Sequence, residues 1–138
     1  MVAPLLRVVG SVYPPVDSCV PQNRGLKNKL EEMDKAQVRE IAPTLVGLPV
    51  YIEHDVKHKI GVVAESKIVF GSAIEVVLHI YDTIAIKDLM DHQYLGLSMS
   101  HSYFMRGDGP ALQTALEISV VRKGRRDGSW IRECEFMA

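Results

Sequence analysis

Apolar residues recur along this chain in two rhythms, and the switch between them organises it. Leu5 to Tyr13 is rich in Val and Leu and is closed by Pro14-Pro15, the pattern of a first strand. Residues 14 to 25, PPVDSCVPQNRG, hold three prolines and a glycine and read as a surface loop. Leu26, Leu30, Met33, Val38 and Ile41 then fall near helical spacing. Asp34 with Gln37 can act as a capping pair, and Pro43 is expected to stop the element. The register restarts at Asp34, so one broken helix or two short ones are predicted over Leu26 to Ile41. Beyond Gly47 the period moves towards two. Leu48–Glu53, Lys59–Ala64, Lys67–Phe70 and Ala73–Tyr81 have the Val- and Ile-rich character of strands, punctuated by Gly61 and Gly71. Ala64-Glu65-Ser66-Lys67 suits a tight turn.

A short helix is predicted over Ile84 to His92, with Asp82 or Thr83 as its cap. Tyr94–Tyr103 and Leu112–Arg122 are strands around a loop at Arg106 to Pro110, and Trp130–Phe136 returns after the turn GRRDG at 124–128. Strands outnumber helices, and most connections are hairpin-sized. The expected fold is mainly β (α+β): a small antiparallel β-barrel with a few peripheral helices, in one domain over residues 1 to 138.

Composition narrows the classes. The 138 residues are 47% apolar and 24% charged, an ordinary globular balance. Sixteen Lys and Arg against 17 Asp and Glu give a net charge of -1, which removes any whole-molecule attraction to nucleic acid or an anionic membrane. No apolar run approaches the roughly 20 residues of a membrane span. Cys19 and Cys134 lie far apart and read as reduced thiols.

Three stretches carry candidate chemistry. In LPVYIEHD at 48–55, His54 ends an apolar strand, where imidazole could serve as a general base or simply occupy a surface corner. His54 and His58, with His92 and His101, raise a metal reading. His-x3-His presents both rings together only on a helix, this segment is strand and loop, and no metal is expected. In YLGLSMSHS at 94–102, alternation sets Ser98, Ser100 and Ser102 on one face and Leu97, Met99 and His101 on the other. That serine row is either a polar strand face or the home of a nucleophile awaiting a base. In LEISVVRKGRRDG at 116–128, Glu117 and Ser119 alternate with Ile118 and Val120. A carboxylate there faces water or accepts a hydrogen bond from a partner such as imidazole. The basic turn is too small to argue for nucleic acid, whereas its backbone amides could converge on an anion.

Taken in this order, LPVYIEHD, LSMSH and EISVVRKGRRDGSW resemble the maturation proteases of herpesviruses (assemblins) and the related prohead proteases of tailed phages. The match spans roughly residues 45 to 131. The resemblance implies His54 as general base, Ser98 as nucleophile with Ser100 as the alternative, and Glu117 as the third member of a triad. Herpesvirus enzymes carry histidine at that third position. Glutamate there is a departure with sound chemistry, since a carboxylate fixes the imidazole tautomer and stabilises the imidazolium. The resemblance further implies that the Arg125 amide forms the oxyanion hole and that Arg126 holds a water. Preorganised donors of this kind are typically worth about 3–4 kcal/mol of barrier.

The implied activity is a serine endopeptidase cleaving scaffold protein during procapsid maturation, with no cofactor. The expected location is the viral procapsid, in bacterial cytoplasm for a phage or in the nucleus for a herpesvirus-like virus. The family cleaves after alanine, so self-processing after Ala138 is an expectation. The family's dimer helices follow the GRR turn, and the chain stops at Ala138, so a homodimer or higher homo-oligomer is expected to use other surfaces. The alternative reading is a non-catalytic capsid- or scaffold-binding β-barrel module.

Overall fold

The computed structural model describes residues 5–13, 35–70, 73–106, 109–122 and 129–137, with side chains at all of these except 13, 35 and 101–113. Along the chain run β1 (Leu5–Tyr13), α1 (Lys35–Ile41), a 3-10 turn (Ala42–Leu45), β2 (Pro49–Ile52), β3 (Gly61–Val69), β4 (Ala73–Ile80), α2 (Thr83–Met90), β5 (Gly96–Arg106), β6 (Gly109–Val121) and β7 (Ile131–Met137). The fold is mainly β, as the alternation predicts. Seven strands form one sheet in the order β5-β6-β2-β3-β4-β1-β7. The sheet curls until its ends touch. Leu97 N–H donates to Ser129 O at 3.1 Å and Ile131 N–H to Leu95 O at 2.9 Å, so the start of β7 meets the start of β5. Gly10 sits under this corner, where a Cβ would lie 2.6 Å from the Trp130 carbonyl oxygen.

Alternation builds the core. Leu6 and Val8 on β1 stand opposite Ile80 and Leu78 on β4, and all four are fully buried. Each such side chain contributes about 1.5–3 kcal/mol by leaving water. Val38, Ile41, Ala42 and Leu45 bring α1 and the 3-10 turn onto the same cluster, with Ala85, Ile86 and Leu89 doing so from α2.

Three local readings change. Ala64 to Lys67 makes no turn: β3 runs through it with a β-bulge between Val63 and Glu65. Before the bulge Gly61 and Val63 are buried; after it Ile68 pairs with Ile74 on β4. The extra residue flips the inward parity, which in sequence looks like two strands. The α-helix ends at Ile41, as expected ahead of Pro43, but the winding goes on. The chain passes from α-helix to 3-10 turn with Pro43 in the first positions, where a missing N–H costs nothing. Lastly, one pairing is parallel: β2 runs alongside β6, with Val50 opposite Ile118 and Ile52 opposite Val120. The loop at 14–25, Cys19, the helical stretch 26–34 and the Asp34 cap lie outside the described residues.

Candidate active site

β2 is only four residues long, and the way it ends aims the histidine. Glu53 and His54 both take left-handed backbone angles, φ 48° and 61°, which turn the chain sharply off the sheet. Such angles are uncommon outside glycine, so the turn must be held from elsewhere. β6 does this. Glu53 N–H donates to Val120 O at 3.0 Å, His54 N–H to Ser119 Oγ at 3.0 Å, and Arg122 N–H to Glu53 Oε1 at 2.9 Å. Within the turn, Asp55 N–H donates to Ile52 O at 2.9 Å.

The β5–β6 hairpin supplies the other groups. Its register sets Ser98 opposite Ser119 and Ser100 opposite Glu117. With a period of two, these four residues share one face. Leu97, Ile118 and Val120 on the other face are fully buried in the core. His54 reaches across the polar face. Its Nδ1 is hydrogen-bonded to Glu117 Oε1, and its Nε2 lies 3.0 Å from Ser98 Oγ. Ser119 Oγ donates to the remaining carboxylate oxygen, Glu117 Oε2, at 2.7 Å. Burial is graded along the row: the His54 side chain is 41% exposed and that of Glu117 only 6%.

The hydrogen bond to Glu117 holds the His54 imidazole above its ordinary value of 6.5, with the charges of Glu117 and Glu53 adding and burial opposing. A ring bonded through Nδ1 to a buried carboxylate keeps Nε2 free for a hydroxyl proton. The geometry therefore offers an imidazole poised between a serine hydroxyl and a buried acid, a constellation suited to acyl transfer.

The sequence-predicted residues divide as follows. His54, Ser98 and Glu117 are brought together. The hydroxyl at Nε2 is that of Ser98, and Ser100 stands one step along, across from Glu117. Arg125 and Arg126 lie outside the described residues, as do Ala138 and the His101 side chain. His58 points elsewhere, its Nε2 3.3 Å from Asp82 Oδ1, and His92 is exposed beyond α2. Among the described residues, no group of three His, Cys, Asp or Glu side chains could hold a metal ion. Sequence reasoning gave no role to Ser119 or Glu53. The available signal was a second polar residue two places after Glu117, on the same face of an otherwise apolar strand.

No protein-family model matches the chain, and no curated protein matches it. Solved structures do. The protease of Kaposi's sarcoma-associated herpesvirus (KSHV), crystallised with a hexapeptide phosphonate inhibitor, superposes with a TM-score of 0.66 at 22% identity over 97% of this chain. The chain covers 65% of the length of that protease chain. Two structures of the same virus's protease with allosteric inhibitors give TM-scores of 0.57 and 0.56 at 19% and 20% identity, covering 96% of this chain and 77% of theirs. At these identities the likeness establishes a shared fold, that of a herpesvirus protease. All three are herpesvirus structures, so the phage half of the resemblance rests on sequence alone.

Proposed function

We propose that this chain is a serine endopeptidase of the viral maturation type, working through a Ser98-His54-Glu117 triad. One observation carries the reading: the unbroken contact from Ser98 Oγ through both ring nitrogens of His54 to the buried Glu117 carboxylate. The shared fold supports it, because one solved protease of that fold is in complex with a hexapeptide phosphonate inhibitor.

In this mechanism Ser98 Oγ attacks the peptide carbonyl carbon while His54 Nε2 takes its proton. His54 returns that proton to the departing amine, leaving an acyl ester on Ser98. A water deprotonated by His54 then cleaves the ester and restores the hydroxyl. Glu117 holds Nδ1–H throughout, which fixes the tautomer and stabilises the transient imidazolium. Arg125, through its backbone amide, and Arg126, through a held water, are assigned to the oxyanion. No metal or cofactor enters. The proposed substrate is the scaffold protein of an immature capsid, cleaved within the procapsid.

A peptide phosphonate tests the assignment directly, because phosphorus reacts with the activated hydroxyl. Intact mass and peptide mapping are expected to place one adduct on Ser98, with none in Ser98→Ala or His54→Ala. An adduct on Ser100 would move the nucleophile two residues along. A wild-type protein that stays unlabelled and leaves scaffold protein intact would overturn the protease reading in favour of a binding module.

A further inference from the structure

A hydroxyl group has one proton to give and two lone pairs to receive, and at Ser119 both capacities are spent inside the site. The residue is fully buried on β6. Its Oγ donates to Glu117 Oε2 at 2.7 Å and accepts the His54 backbone N–H at 3.0 Å. One atom therefore touches both halves of the acid–base pair: the carboxylate, and the backbone from which the imidazole hangs. That backbone is a left-handed turn with no glycine, so His54 depends on outside bonds to stay in place. A carboxylate held through only one oxygen could swing about its terminal torsion, which is soft. Holding the second oxygen fixes the plane in which the first meets Nδ1.

We propose that Ser119 is a positioning residue, setting the angle and separation between the Glu117 carboxylate and the His54 ring. The proposal rests on the protease reading for its purpose but not for its physics. A purely electronic role makes the opposite prediction. A hydroxyl that only drew charge off Glu117 would lower the ring's proton affinity, so removing it would raise the His54 titration midpoint. Loss of positioning lowers the midpoint instead, because the ring loses the contact that holds its proton. The charged groups felt by the ring are Glu117 from β6 and Glu53 from its own turn, and neither is altered by substitution at 119.

The experiment compares wild type, Ser119→Ala, Ser119→Cys and Ser119→Thr in the full chain. Histidine-labelled protein is titrated by NMR to follow the His54 ring, and hydrolysis of a scaffold-derived peptide is measured in parallel. In Ser119→Ala the midpoint is expected to fall towards 6.5. kcat should fall by up to about a hundredfold, the scale of a misplaced catalytic group, with KM little changed. Ser119→Thr, which keeps the hydroxyl, should restore both. A midpoint that stays or rises in folded Ser119→Ala overturns the proposal. Ser119→Cys, close in volume but a weak donor, is read in the same way where the alanine variant does not fold. Unfolding of both variants would assign the hydroxyl to stability and equally overturn the proposal. A midpoint that falls in Ser119→Ala while the wild type shows no hydrolysis would retain the positioning role and reject the protease. Hydrolysis with an unmoved midpoint would do the reverse.

Discussion

Two sets of charged side chains lie on the same curled sheet, and they are built in opposite ways. On β1, β3, β4 and β7, Arg7 meets Glu133 at 3.2 Å, Arg132 meets Glu75 at 2.5 Å and Lys67 approaches Glu75 at 3.6 Å. These side chains stand within strands, and the cationic partners are between 34% and 67% exposed. On β2, β5 and β6 the acid is buried, its partner hangs from a left-handed turn, and every member has a fixed neighbour. In the first set the cations reach solvent, even where the acid, Glu75, is only 14% exposed. In the second, the backbone has been bent to aim a ring. Burial and aim, rather than charge, separate structure from chemistry here.

The contrast breaks most sharply at Ser98. Ser98→Ala is expected to reduce peptide hydrolysis by roughly 10⁴- to 10⁶-fold, the scale of losing a triad nucleophile, while leaving thermal unfolding nearly unchanged. Ser100→Ala, one step along the same face, should retain activity. Steady-state rates with both variants decide between the two serines.

Glu117→Gln comes next. It should lower kcat by about 10⁴-fold, as expected when a triad acid no longer selects the tautomer. The pH profile carries the sign. His54 titrates above 6.5 in the folded chain because Glu117 holds its proton, and the base must be unprotonated to act. The acid limb of kcat/KM therefore lies above 6.5 in wild type and moves down in Glu117→Gln. Stability runs the other way. The pair's contribution is complete below the ordinary histidine value and is lost as pH rises through the elevated one. Activity and the pair's contribution to stability should therefore cross over, which rate and melting profiles on one buffer series would reveal.

Asp82 stands between the two extremes. Exposed enough to be ordinary, it is nonetheless aimed: its Oδ2 accepts the Ala85 N–H at 3.0 Å and caps α2. That bond, with His58 assisting and burial opposing, holds its carboxyl below 3.8. Asp82→Ala should cost about 1 kcal/mol in denaturant unfolding. In wild type this cap contributes above the ordinary carboxylate value and is lost as pH falls through the depressed one. The smallest effect belongs to the surface set. Arg7→Ala should change unfolding free energy by no more than about 1 kcal/mol, less in high salt. A larger loss would show that the outer ion pairs are more than a solvated face.

Much of this arrangement was legible before any coordinates. Val-, Leu- and Ile-rich runs closed by proline or glycine located β1, β2 and β4, and the later strands were found in the same way. A cap at Asp82 or Thr83 followed from short polar residues before an apolar helix, and the structure selects Asp82. His54, Ser98 and Glu117 were found from the order of three motifs, not from any one of them. What stayed hidden were interactions that periodicity does not encode. The bulge at Ala64 reverses parity and so imitates a turn. The parallel pairing of β2 with β6 joins distant segments, with nothing local to announce it. The hydrogen bond from His54 N–H to Ser119 Oγ depends on that pairing and could not be seen without it.

The same pairing also sets a clock. His54 and Glu117 are 63 residues apart and His54 and Ser98 are 44 apart, so no local element assembles the relay. β5 and β6 can form their hairpin early, but the histidine arrives only when a strand from the first half of the chain docks in parallel beside β6. Contacts of such long sequence separation are slow to form, because loop closure must precede any gain from them. Until β2 docks beside β6, Ser98 and Glu117 stand without the His54 ring between them. On the proposed function, cutting power depends on that one long-range docking.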